Sequence, residues 1–317
     1  MQELCTKLID QKTCLAIMGP TACGKSSLSI ALSEVLDIEI ISVDSALIYQ
    51  GMDIGTAKPS QAEMEQVPHH LIDIIKPTES YSAAEFVKDA HKLVKEIFAR
   101  KRVPVFVGGT MMYFNALQKG MAKLPVSIPE NRERIFAEWQ IDPQKTHQQL
   151  AEIDPAAGKR IHYNDSQRIV RALEVYELAG KSLSDLQQEA EDSSLKEFNL
   201  KKIALLPEDR AEIHQNIAKR FHGMLAKNFL KEVSELMRND ALHEDLSAIR
   251  CVGYRQAWSH LLGEYDYDTF VEKGIIATRQ LAKRQVTWLR KEPDLLKVDS
   301  YQVELNQQVK LLIEMVS

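Results

Sequence analysis

Gly19-Pro20-Thr21-Ala22-Cys23-Gly24-Lys25-Ser26 lies between the apolar run Leu15-Ala16-Ile17-Met18 and a helix-forming stretch, SLSIALSEVL, at 27–36. The octapeptide matches G-x-x-x-x-G-K-[ST] in the strand–loop–helix context that this pattern requires. Its glycines let the backbone wrap so that amides point at phosphate oxygens, and the helix N-terminus adds partial positive charge. Lys25 adds a full charge, and the Ser26 hydroxyl is a ligand for Mg²⁺. Cys23 occupies an unconstrained position and reads as filler. The loop alone suits a nucleotide kinase, a nucleotide hydrolase or an enzyme that grips another diphosphate.

Short apolar runs at 14–18, 39–43, 71–75, 103–107, 202–206 and 295–298 alternate with helical patterns, which predicts a largely parallel sheet flanked by helices. Ser82 and Glu85 have capping-box spacing and predict a helix that ends near Arg100. Between 124 and 198 the strand-like runs disappear, LPVSIP reads as a linker, and a helix is predicted over 167–179, closed by Gly180. The expected organisation is an α/β core at 1–123 and 199–317, interrupted by an all-helical insertion at 124–198.

A net charge of −5 argues against a surface that holds nucleic acid everywhere, so any such contact is local. Four cysteines with no C-x-x-C pairing point to neither a zinc site nor a disulfide framework, and fit a reducing cytoplasm. No apolar run approaches the ~18 residues of a membrane span, so no membrane association is expected. One stretch carries concentrated positive charge. Lys273, Arg279, Lys283, Arg284, Arg290 and Lys291 come with no intervening acid. At 100° per residue they fall within an arc of about 140°, while Ile275, Ala282, Val286 and Leu289 cluster on another face. That is an amphipathic helix with a basic stripe, which is either a solvated face or a polyanion contact.

Three further segments complete the pattern: ISVDSALIY with GMDIGTAKP (41–59), VGGTMMY (107–113), and the pair IRCVGYRQAW and ATRQLAKRQVTWLR (249–258 and 277–290). With the phosphate loop, in this order over nearly the whole chain, they closely resemble the bacterial tRNA dimethylallyltransferase (tRNA isopentenyltransferase) family. The resemblance implies a fold similar to the nucleotide kinases, with the phosphate loop, Gly19 to Ser26, holding dimethylallyl diphosphate with Mg²⁺. It also implies alkylation of the exocyclic amine of the adenosine 3′ of the anticodon.

An adenine amine is a poor nucleophile that benefits from a base, and the DSAL match assigns that role to Asp44; by position alone a helix N-cap or a metal-shell carboxylate fits as well. Thr110, behind two glycines, is implied as a donor to the leaving diphosphate and is also placed as a helix N-cap. Arg132 is implied as a diphosphate or tRNA contact. Four segments are implied to touch the tRNA anticodon stem-loop: Asp44-Ser45-Ala46-Leu47, Gln167-Arg168-Ile169-Val170-Arg171, Arg250-Cys251-Val252-Gly253-Tyr254-Arg255, and Thr278-Arg279-Gln280-Leu281-Ala282-Lys283-Arg284-Gln285. A base stacked in a loop must be flipped out to reach such a pocket.

Trp139, Trp258 and Trp288 read as packing residues, and His69 and His70 have no evident role. A monomer without the zinc finger of eukaryotic relatives is expected. The alternatives are an adenylate isopentenyltransferase, a phosphate-loop nucleotide kinase, or a non-catalytic RNA-binding protein gated by nucleotide.

Overall fold

Thr13–Met18 forms β1 with every side chain buried, as a central strand covered on both faces demands. It is preceded by α1 (Gln2–Asp10) and followed by α2 (Lys25–Ser33), β2 (Ile38–Val43), α3 (Gln61–Gln66), β3 (His69–His70), α4 (Ala83–Ala99), β4 (Val103–Gly108) and α5 (Met111–Lys119). Five helices come next: α6 (Pro129–Ile141), α7 (Pro143–Ile153), α8 (Pro155–Arg160), α9 (Ser166–Ala179) and α10 (Leu183–Glu189). The chain closes with β5 (Asn199–Leu205), α11 (Arg210–Ala226), α12 (Phe229–Leu236), α13 (Tyr254–Leu261), α14 (Tyr267–Leu289), β6 (Leu295–Val298) and α15 (Leu305–Val316). This computed structural model describes residues 2–120, 122, 124–189 and 197–317. The part of the expected insertion at 190–196 lies outside the described residues.

Contacts divide the chain into one unit of Met1–Phe114 with Glu197–Ser317 and a second of Asn115–Lys196. The first unit holds a six-stranded sheet, order β3-β2-β4-β1-β5-β6, in which every pairing is parallel. Leu15, Ile17, Val103, Val105, Ile203 and Leu205 on the strands pack with Leu28 and Leu32 of α2 and Leu312 of α15. A second apolar cluster joins Ile48, Tyr49 and Met52, in the loop after β2, to Phe221, Phe229, Tyr254 and Phe270 of α11 to α14.

The Ser82–Glu85 capping box opens α4 as its spacing predicts, and α9 ends on Gly180 in the left-handed region at φ 66°. One strand expectation fails. Residues 71–75 do not form a strand, because Leu71 (φ 62°) and Asp73 (φ 56°) are left-handed, a conformation that cannot continue a pleat. The edge strand is His69–His70 instead, and Ile75 makes only an isolated bridge to Tyr49. This gives the histidines a structural setting. His70 Nε2 lies 2.7 Å from Oε2 of the buried Glu39, which Arg100 also grips through two nitrogens at 2.9 and 2.7 Å.

Among the described residues of the second unit every regular element is a helix. Prolines open α6, α7 and α8, where a missing N–H costs nothing, and Asp142, Asp154 and Asp165 accept hydrogen bonds from Lys145, Ala157 and Arg168 amides. Its core is Ile135, Leu150, Ile161, Ile169, Val170, Leu173 and Val175. Buried Glu174 accepts bonds from Ser127 Oγ (2.5 Å), the Ile128 amide (2.9 Å) and Arg171 (2.7 Å). Burial alone would raise its pKa, but these partners hold it below the usual carboxylate range.

Candidate active site

The register of the sheet assembles the site. Gly108, at the end of β4, pairs with Met18 of β1 on one side and Val43 of β2 on the other. The loops that begin at Gly19, Asp44 and Gly109 therefore leave the sheet side by side at its carboxyl edge, where open α/β sheets bind ligands. Two glycines permit this approach. A Cβ on Gly108 would lie 2.1 Å from the Val43 carbonyl oxygen, and one on Gly19 would lie 2.4 Å from Cys23 Sγ and 2.8 Å from the Leu205 oxygen.

In the phosphate loop Ala22 (φ 66°) and Gly24 (φ 93°) take left-handed conformations that turn successive amides inward, and Gly24 caps α2. Lys25 Nζ donates to the Pro20 oxygen at 2.7 Å, so the ammonium folds over the loop it serves. Ser26 is exposed at the first turn of α2, where its hydroxyl makes no hydrogen bond within the described residues. Cys23 is buried; loss of solvation pushes its thiol up, against the smaller opposing pull of Lys25, so it is a packing residue rather than a thiolate.

Asp44 follows β2 and accepts the Ala46 amide through Oδ1 at 2.8 Å, an Asx turn that orients the carboxylate. Thr110 is tied to the same turn: its Oγ1 accepts the Ser45 amide at 3.1 Å, and its own amide donates to the Val43 oxygen at 3.1 Å. The hydroxyl thus links the loops after β2 and β4, and no capping bond to α5 accompanies it among the described residues. Leu47 also serves this corner by accepting the Asp73 amide at 3.1 Å.

Two further residues stand beside this cradle: Arg220, which no sequence pattern singles out, and Gln285. Arg220 of α11 donates to the Thr56 oxygen at 3.1 Å and has no salt bridge among the described residues. Burial pulls its pKa down, and the nearby Asp44 carboxylate pulls it part of the way back up. A half-buried guanidinium with no carboxylate paired to it among the described residues, beside a phosphate loop, suits an anion. No local pattern announces it, because QNIAKRFHG reads as an ordinary helix face. Gln285, implied as a tRNA contact, turns inward instead: its Oε1 accepts the Thr21 amide at 2.9 Å and its Nε2 donates to the Gly109 oxygen at 2.9 Å.

Burial sorts the other expected contacts. Ile169 and Val170 are core residues of the second unit, and Tyr254 and Ala282 are core residues of the first, so their side chains hold these segments rather than meet a ligand. Gly253 is also buried, and its amide donates to Gln256 Oε1 at 2.8 Å. Arg171 is committed internally, to Glu174 and to the Pro125 oxygen at 2.8 Å. Arg132, Gln167, Arg168, Arg250 and Arg255 are exposed, as are Gln280, Lys283 and Arg284; Cys251, Val252, Thr278 and Leu281 are half-buried.

The basic stripe of α14 is exposed at Lys273, Lys283, Arg284 and Arg290, continues into exposed Lys291, and is half-buried at Arg279. Trp258 is buried, Trp139 donates to the Tyr163 oxygen at 2.9 Å, and Trp288 departs from the packing expectation by lying 47 % exposed beside the stripe. Among the described residues no helix is long and apolar enough to cross a membrane.

Fold and site together define a phosphate-loop α/β enzyme with a carboxylate and a hydroxyl poised beside its anion cradle. The profile of the IPP transferase family matches residues 47–292. A tRNA dimethylallyltransferase of Hydrogenovibrio crunogenus is 61% identical over 311 residues, 98% of this chain and 96% of that protein. The structure of a tRNA isopentenylpyrophosphate transferase from Bacillus halodurans superimposes with a TM-score of 0.71 at 32% identity, covering 96% of this chain and 95% of that one. That of a eukaryotic dimethylallyltransferase acting on tRNA gives a TM-score of 0.78 at 27% identity, over 93% and 75%. The chain belongs to the IPP transferase family, and the nucleotide-kinase alternative gives way.

Proposed function

We propose that this chain transfers the dimethylallyl group of dimethylallyl diphosphate to the exocyclic N6 amine of the adenosine 3′ of the anticodon in tRNA, releasing diphosphate. The observation that carries the reading is the side-by-side exit of the three loops at Gly19, Asp44 and Gly109, which sets a carboxylate next to a phosphate cradle. Loop amides between Ala22 and Ser26, Lys25 and the half-buried Arg220 bind the diphosphate and stabilise the charge that grows on it as the allylic C–O bond breaks. The leaving diphosphate takes the electron pair. The adenine nitrogen forms the new C–N bond, and its proton passes to the Asp44 carboxylate, which the Ala46 amide already orients. Thr110 holds the Asp44–Ser45 turn, and its hydroxyl, which donates to Ser45 Oγ at 3.4 Å, turns to donate to the diphosphate.

Among the described residues no cluster of three or more His, Cys, Asp or Glu side chains would hold a metal. The donor set fits Mg²⁺ all the same, since that ion takes one or two protein oxygens, here the Ser26 hydroxyl, and completes its shell with phosphate and water. When bound it neutralises diphosphate charge. Phosphate contacts to the tRNA fall to the exposed stripe of α14 and to Arg250 and Arg255 in the first unit, and to Arg132 and Arg168 in the second. A tRNA substrate is consistent with a reaction in the cytoplasm.

Incubation with unmodified tRNA, Mg²⁺ and dimethylallyl diphosphate, followed by nucleoside analysis, tests the reading. Asp44→Asn keeps the size but cannot act as a base at neutral pH, so single-turnover transfer should fall by about 10²–10⁴ with substrate affinities nearly unchanged. Loss of donor affinity with the chemical step intact would make Asp44 a metal-shell residue.

A further inference from the structure

Glu232, on α12, receives four hydrogen bonds. Its Oε2 accepts the amides of Asp53 (2.9 Å) and Ile54 (2.7 Å), and its Oε1 accepts the Gly55 amide (3.1 Å) and the Tyr254 hydroxyl (2.6 Å). Three consecutive backbone amides that converge on one point form a nest suited to an anion, and here the protein supplies the anion itself. Four donors match the lone-pair capacity of an ionised carboxylate, so the group is fully occupied and has nothing left for a substrate.

The turn it holds is the one whose next residue matters to the site. The Thr56 carbonyl is the acceptor for Arg220, and its hydroxyl folds back on the Met52 oxygen at 2.7 Å. Gly55 lies so close to the aromatic layer that a Cβ there would fall 2.2 Å from the Phe229 ring and 2.6 Å from that of Tyr254. The turn therefore has one seat, set by packing below and by the carboxylate above. Lys58 secures its far end through the Tyr49 oxygen at 3.0 Å and the carboxylates of Asp53 and Asp73.

We infer that Glu232 is a positioning residue for the transfer: it pins the 53–55 amides so that the Thr56 carbonyl aims the Arg220 guanidinium at the diphosphate cradle beside Asp44. This rests on the reading of Arg220 as a diphosphate ligand. The same carboxylate bonds Tyr254 of the CVGYRQ segment, so Glu232 joins two of the motifs on either side of the chain's helical insert. That bond explains why Tyr254, wholly buried, keeps a hydroxyl at all.

The test is a double-mutant cycle read by binding of inorganic diphosphate with Mg²⁺, which needs no catalysis. Gln at position 232 keeps one acceptor oxygen but turns an NH₂ group toward donors, so Glu232→Gln should weaken diphosphate binding by about tenfold while tRNA affinity holds. Arg220→Ala should weaken it at least as much, and adding Glu232→Gln to Arg220→Ala should then cost little more. Tyr254→Phe, a gentler change that removes one of the four donors, should act in the same direction and less strongly.

A penalty for Glu232→Gln that is equal in both backgrounds overturns the inference, as does a loss of thermal stability with diphosphate affinity intact. If Arg220→Ala leaves diphosphate binding unaltered, the reading of Arg220 itself falls, and the route through it falls too. If Glu232→Gln does not fold, Tyr254→Phe decides by the same cycle.

Discussion

Replacing Gln285 by leucine separates an internal clamp from a substrate contact. The change keeps the side-chain volume but removes both bonds, leaving the Thr21 amide and the Gly109 carbonyl without their partner. A neutral hydrogen bond contributes about 0.5–1.5 kcal/mol net, so two amount to about 1–3 kcal/mol. Both bonds are only part-buried, so water recovers some of this and the lower half of that range applies. The loss falls on the order of the phosphate loop and of the turn bearing Thr110, whose fixed amides the diphosphate would otherwise meet ready-made. At about 1.4 kcal/mol per tenfold, diphosphate affinity should drop by roughly tenfold. Isothermal titration with inorganic diphosphate and Mg²⁺ measures it, and a filter-binding titration with tRNA provides the control. If Gln285→Leu binds diphosphate normally but loses tRNA, Gln285 contacts the nucleic acid as the motif alone implied, and the clamp is incidental.

Lys25→Ala removes the main fixed charge over the loop and should abolish transfer at saturating donor, while leaving tRNA binding largely intact in a gel-shift assay. Lys283→Ala, on the exposed stripe of α14, should weaken tRNA binding and reduce its salt slope by about one unit or less, with diphosphate affinity unchanged.

Glu39→Gln addresses stability away from the site. Burial opposes the ionised Glu39 carboxyl, but Arg100 and His70 outweigh it and keep the folded-state pKa below the ordinary 4.5. The stabilisation is therefore complete above about pH 4.5 and fades as pH falls through the lowered folded value. Denaturant unfolding should show the variant less stable than wild type at pH 7 by about 1–3 kcal/mol, with the gap narrowing at pH 4 and below.

The octapeptide after β1, the capping box at Ser82 and the continuous apolar runs were legible because each is a local rule. A loop that must wrap phosphate needs glycine at stated spacings, and a strand buried on both faces has no polar alternative. Asp44 and Thr110 were legible as members of motifs. What they touch was not, since the Ser45–Thr110 bond joins residues 65 apart in sequence through the β2–β4 pairing. Backbone conformation also overruled local pattern at 71–75, where an apolar run looked like a strand but two left-handed residues prevent a pleat.

Periodicity placed the basic face of α14 but could not show that Gln285, within the same motif, points the other way into the phosphate loop. Arg220 and Glu232 had no signature at all. Each is an ordinary polar residue on a helix whose role comes from what another part of the chain brings to it: Thr56 to Arg220, and the amides of 53–55 to Glu232. Sequence alone determined where the chain could bind phosphate, because that depends on neighbouring residues. Only the tertiary structure decided which distant charges surround the site, because burial and long-range hydrogen bonding exist only once the sheet has set its order.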